Sequence, residues 1–88
     1  MSNPVFYTIT YRLPRKTTRI LPYDYEITEH TTIDTIRKYI IDLNRGLSGD
    51  VDLVYNGVVL DRTAQLGNTP FPKYYNGIIH LVVVDKTT

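Results

Sequence analysis

Cysteine is absent from the 88 residues. Its absence excludes a disulfide framework and thiol catalysis, and makes the cytoplasm or nucleus the expected compartment. Charge of one sign is also lacking: the formal net charge is +1, so no global field draws the chain to nucleic acid or to a membrane. No apolar run approaches the ~20 residues of a membrane span. The start, "MSNPVFYTIT", has no basic segment followed by an apolar stretch, so a signal peptide is not expected. Serine is confined to Ser2 and Ser48, and histidine to His30 and His80. Neither His lies near a Ser in sequence and no acid completes a triad, so catalysis is not expected. Two His among scattered carboxylates lack metal-ligand spacing, so His30 reads as a loop residue and no metal or cofactor is expected. "GVVLDRTAQLGN" contains glycine but not the spacing of a phosphate loop.

The hydrophobic fraction of 42% is enough for one folded domain with one modest core. That domain is expected over 5–85, between an N-terminal tail 1–4 and a C-terminal tail 86–88, with no internal repeat or linker. Eight Tyr are many for this length, and most are expected in strands.

Val5, Tyr7, Ile9 and Tyr11 alternate with Phe6, Thr8, Thr10 and Arg12, the pattern of a half-buried strand. "RLPRKTTR" is a polar, basic connection. "ILPYDYEIT" alternates again, with Leu21, Tyr23, Tyr25 and Ile27 on one face. Pro22 cannot donate to a ladder, which places this second strand at an edge or starts it after the proline. The period then changes. Ile33, Ile36, Ile40 and Leu43 fall three or four apart on one face of a helix, with Thr32 as N-cap, Asp34 in the first turn and Gly46 as the stop. In "VDLVYNGVVLD", Asn56-Gly57 between two apolar runs predicts a two-residue hairpin. "DRTAQLGNTPFPKYYNG" reads as mostly irregular, with room for a short helical turn around Thr63 to Leu66. "IIHLVVV" is apolar on both faces, as in a central strand.

The order ββαββ, with a central last strand and a second strand that tolerates an edge, predicts an α+β fold. One helix packs across a mixed sheet of four to five strands, and the first and last strands run parallel at its middle. The residues themselves resemble the ubiquitin-like domains, and the fold so implied is the ubiquitin-like β-grasp. "TTIDTIRKYI" is similar to the start of the ubiquitin helix, "LVYNGVVLD" to its third-strand hairpin, and "IIHLVVV" to its last strand with a His between aliphatics. The resemblance runs from Val5 to Val84. It fails in the longer first loop and over Thr63 to Tyr75.

Ubiquitin binds partners through an aliphatic patch on the open face of its sheet. The resemblance puts Val54, His80 and Val82 at that patch, with Val58 and Val84 at its rim and Leu13 in the place of a loop leucine. Strand parity agrees: if Ile79, Leu81 and Val83 face the helix, then Ile78, His80, Val82 and Val84 face outward. Contiguous exposed aliphatics on adjacent strands are seldom without use. The basic rim of the ubiquitin patch is replaced by Asp52, Val58 and Val84, which makes a more apolar surface. No Gly-Gly follows in "VVVDKTT", so ligation to targets is not expected. The resemblance implies a noncovalent protein-interaction module, monomeric and not an enzyme, in the ubiquitin–proteasome pathway. The partners so implied are a proteasome subunit, an unfoldase, a ligase or a ubiquitin-receptor component.

The alternative is a module for an acidic partner, of the Ras-binding type, using the basic loop Arg12, Arg15, Lys16 and Arg19. Nucleic acid is disfavoured, since no RNA-type aromatic motif accompanies those charges. A third reading is a scaffold domain with only intramolecular contacts. Arg37, at the position of a paired ubiquitin lysine, is expected to form an exposed ion pair with Asp61.

Overall fold

A computed structural model describes residues 6–15, 17–68 and 78–86. Val5, Lys16 and residues 69–77, the later part of the stretch expected to be irregular over 61–77, lie outside the described residues. The strands are β1 (Thr8–Arg12), β2 (Thr18–Ile20), β3 (Val51–Tyr55), β4 (Val58–Val59) and β5 (Ile78–Asp85), and the helix is α1 (Ile33–Leu43). They form one sheet in the order β2-β1-β5-β3-β4. β1 and β5 pair in parallel, and the other three pairings are antiparallel. This is the mixed five-stranded α+β architecture that the element order predicts.

Parity decides which side chains meet the helix. Along β5, exposed and buried residues alternate without a break from Ile78 to Asp85. Ile79, Leu81 and Val83 point into the core with Ile9 and Tyr11 of β1 and Val51 and Leu53 of β3. α1 supplies Ile33, Ile36 and Ile40 to the same cluster. Each such aliphatic contributes roughly 1.5–3 kcal/mol by leaving water. β5 is central, as its apolar character suggested, but only one of its faces is covered.

The start of α1 is stabilised from two directions. The Thr32 side chain accepts from the Thr35 N–H. The crossing loop supplies two carbonyls: Ile33 N–H donates to Ala64 O and Asp34 N–H to Arg62 O, both at 2.9 Å. Three of the N–H groups that a helix leaves without an internal partner are thereby satisfied. A one-turn 3₁₀ segment, Leu66–Asn68, follows this loop, a few residues beyond the turn expected at Thr63 to Leu66.

Several expectations are corrected. The second strand stops at Ile20, because Pro22 has no N–H to continue the ladder. A 3₁₀ turn at Tyr23–Tyr25 and a positive φ at Glu26 (49°) then interrupt the chain. Pairing resumes at Tyr7 N–H to Ile27 O. Tyr25 is therefore only partly buried, stacked on Tyr39 with ring centroids 4.4 Å apart. The helix ends at Asn44, two residues before Gly46. The Asn44 amide donates to Ile40 O and to the hydroxyl of buried Tyr11. Leu43 is 40% exposed, and Arg37 joins the buried side of the helix in its place.

Arg37 does not reach Asp61, and it is not an exposed pair. Its guanidinium donates twice to Asp34 Oδ1, at 3.0 and 2.8 Å, and once to Gly49 O at 3.0 Å. Asp61 instead accepts from the Thr63 N–H and hydroxyl.

Candidate functional site

The face of the sheet opposite α1 is open, and the strand registers lay its side chains out in rows. One row crosses all five strands. Thr18 pairs with Arg12, Arg12 with Val82, Val82 with Val54, and Val54 with Val59. Directly opposed residues share a face, so Val82, Val54 and Val59 form a continuous aliphatic strip. Val82 is 45% exposed and Val59 59%. Val54 is half-buried between its two Val neighbours. In a second row, Ile20 lies opposite Thr10 and Thr10 opposite His80. The Thr10 hydroxyl and His80 Nδ1 are hydrogen-bonded, which holds the imidazole across the β1–β5 ladder beside the strip. Exposed Ile78 and Val84 continue the apolar character along β5.

The patch ends at a compact charge network. Asp52, opposite Val84 on the open face, is buried beneath two cations. Lys86 Nζ is 2.8 Å from Oδ2, and Arg62 donates to Oδ1 at 3.0 Å. Arg62 also reaches Val51 O at 3.2 Å and Asp50 Oδ1 at 3.4 Å. The Lys86 hydrogen bond, reinforced by Arg62, holds the Asp52 carboxyl below the usual aspartate range against the opposing effect of burial. Asp52 in turn raises the Arg62 guanidinium. Two carboxylates face two cations, so this end of the patch is charge-balanced.

Of the residues singled out in the sequence, the structure brings Val54, His80, Val82 and Val84 together on the open face. Val58 is not among them. It lies opposite Tyr55 and so has the parity of the helix side, at the exposed edge of β4. Val59 takes its place. The two-residue Asn56-Gly57 turn, with φ of 51° and 79°, fixes that register, and counting outward from the turn would have found it. Leu13 does not join the patch either. It packs against the core at the far end of β1 and lines a groove with Leu43 and Leu47.

The basic loop is divided by the same parity. Arg12 points to the open face beside Val82, while Arg19, opposite buried Tyr11, belongs to the helix side. Arg15 sits in the turn between them, and Lys16 lies outside the described residues. Ile20 and Arg45 were missed by sequence reasoning. Ile20 needed the early end of β2 to be known, and Arg45 needed the path of the chain after α1.

Among the described residues, no three His, Cys, Asp or Glu side chains are placed to hold a metal ion. The Ser48 hydroxyl donates to Asp85, 2.6 Å away, and no imidazole is bonded to it. His30 lies 3.5 Å from Glu29. No helix of the described residues is long and apolar enough to cross a membrane. The chemistry this surface offers is apolar contact with a small number of fixed polar groups.

No protein-family model and no curated protein matches the sequence. Solved structures do match the fold. One, reported as molecular mimicry of SUMO that promotes DNA repair, superposes with a TM-score of 0.70 at 16% identity, over 96% of this chain and 95% of that one. Another is the solution structure of a computationally designed protein based on human erythrocytic ubiquitin as template. It superposes with a TM-score of 0.68 at 24% identity, over 93% of this chain and 94% of that one.

Proposed function

Given a ubiquitin-like β-grasp fold, we propose that this domain is a noncovalent protein-interaction module that docks through the open face of its sheet. The observation that carries the reading is the cross-strand strip Val82–Val54–Val59, extended by Val84, Ile78 and Ile20 and flanked by His80. A contiguous aliphatic surface of this kind favours association because covering it releases water, at roughly 25 cal/mol per Å² of apolar area. Rigid strands present it, so little ordering cost accompanies binding. The paired Asp50, Asp52, Arg62 and Lys86 contribute no net charge at the rim, which fits a partner whose contact surface is itself apolar. Likeness to a SUMO mimic and to a ubiquitin-based design supports partners in the ubiquitin–proteasome pathway: a proteasome subunit, an unfoldase, a ligase or a ubiquitin-receptor component.

The test is Val54→Asp. In the free domain the new carboxylate stays near water, so folding is preserved. In a complex it would be buried without a partner, which costs several kcal/mol, about a hundredfold or more in affinity. Chemical-shift mapping with a proteasomal receptor of ubiquitin-like domains should show shifts at Val54, Val59, His80 and Val82 in the native domain. In the variant these shifts should be lost while its melting curve is retained. Equal binding by native domain and variant would remove the open face as the site.

A further inference from the structure

We propose a second docking site on the opposite side of the sheet, for an acidic peptide segment that carries aliphatic side chains between its carboxylates. The site is a half-open groove of about 480 Å³ between the β1–β2 turn and the C-terminal end of α1. Leu13, Leu43 and Leu47 give it an apolar floor, and Arg15, Arg19 and Arg45 stand around it. Neither element makes the groove alone. The turn brings Leu13 and Arg15, the first residues of β2 bring Arg19, and the residues after the helix bring Arg45 and Leu47.

Two observations define the occupant. First, all three arginines are exposed, and none forms an ion pair among the described residues. The cations that do pair, Arg37, Lys38, Arg62 and Lys86, are all elsewhere. The acid that lines the groove, Asp85, is largely buried and accepts from the Ser48 N–H and hydroxyl. The groove therefore has an excess of positive charge in a chain whose net charge is only +1. Second, Leu43 stands 40% exposed at the last turn of α1, where the helix period called for burial. A bare anion would satisfy the guanidinium groups and leave the leucines wet. A nucleic-acid strand would need flat aromatic surfaces for its bases, and among the described residues no aromatic side chain lines the groove. A peptide with alternating acidic and aliphatic residues meets both demands.

The groove and the Val82–Val54–Val59 strip lie on opposite faces, because Arg19 and Arg12 belong to opposite parities of one hairpin. The two sites can be occupied at once, so the domain can bridge an apolar partner and an acidic one. This site stands independently of the open-face reading.

The probe is a short synthetic peptide in which Glu alternates with Leu, titrated into the intact chain and followed by chemical shifts and calorimetry. Saturable shifts are expected at Leu13, Thr17, Arg19, Leu43, Arg45 and Leu47. Affinity should fall about tenfold for each of Arg19→Glu and Arg45→Glu, fall with added salt, and be unchanged in Val54→Asp. Both arginines are exposed, so the variants should melt like the native chain. Equal binding of a Gln-for-Glu peptide would overturn the charge argument, and equal binding of a Ser-for-Leu peptide the apolar one. Shifts concentrated at Val54 and Val82, or tighter binding of an RNA oligonucleotide to the same arginines, would overturn the proposal outright.

Discussion

Arg37→Ala tests how α1 is locked to the chain that leads into β3. The Arg37 side chain is 11% exposed and makes three hydrogen bonds, two to Asp34 Oδ1 and one to Gly49 O. A hydrogen bond to a charged group contributes about 1.5–3 kcal/mol, and removing one member of a fully buried ion pair costs about 3–5 kcal/mol. The full figure does not apply here. Asp34 is 34% exposed and keeps Lys38 at 3.2 Å, and Gly49 is exposed, so water replaces part of what is lost. The expected cost is about 2 kcal/mol, or about 8–16 °C in melting temperature for a domain of this size. Arg37→Met keeps the aliphatic stem and separates packing from charge.

The assay is urea denaturation of Arg37→Ala, Asp34→Ala and the double variant. A coupling energy of about 1 kcal/mol is expected. The pH dependence gives an independent check. Hydrogen bonds from Arg37 first, and from Lys38 second, lower the Asp34 pKa. A carboxylate with a depressed folded-state pKa contributes stability above its unfolded pKa, and that stability is lost as pH falls through the folded value. The gap between native and Arg37→Ala should therefore be full at neutral pH and shrink in the acid range below the ordinary aspartate value. Coupling no larger than the ~0.3–0.5 kcal/mol of an exposed helix pair, with a pH-independent gap, would show that Arg37 acts only through its stem.

Adjacent residues of β5 should respond oppositely to truncation. Leu81→Ala, at a 2% exposed core position, should cost about 2–5 kcal/mol in denaturant unfolding, whereas Val82→Ala on the open face should stay within about 0.5 kcal/mol. At the hairpin turn, Gly57→Ala places a Cβ on a residue with φ of 79° and should destabilise by about 1–2 kcal/mol. Open space around that position makes the backbone, rather than a clash, the cause.

The parts of the fold legible in sequence were those in which one local rule met no competitor. The period-two pattern of β5 and the 3.6-period of Ile33, Ile36 and Ile40 both point at one core, and Thr32, next to the first periodic residue, caps the helix through the Thr35 N–H. The open-face patch followed from the same parity. Legibility failed where two signals overlapped. "YDYEIT" alternates like a strand, yet Pro22 and the left-handed Glu26 turn it away from the ladder, and alternation carries no information about φ. Leu43 matched the helical period, but Asn44 ends the helix there by bonding Tyr11 and Ile40, a contact from a strand distant in sequence. The partner of Arg37 lies one turn away at Asp34, not across the chain at Asp61. Arg45 entered the picture only because the fold brings the end of α1 beside the β1–β2 turn.

The strand order β2-β1-β5-β3-β4 also bears on how the chain acquires its shape. The β1–β2 and β3–β4 hairpins are joined through β5, and isolated hairpins are marginal in water. Pairing β5 with β1 brings together residues such as Thr10 and His80, 70 positions apart. That closure carries an entropic cost of about 4 kcal/mol beyond its constant term. On the ribosome, α1 and both hairpins emerge before β5 exists, with Ile36, Leu53 and Tyr11 uncovered. At ~5–20 residues per second that exposure lasts on the order of a second or more. Folding is then a single late event gated by the arrival of β5. During that interval the nascent halves carry apolar faces that water drives together, the liability that chaperones cover.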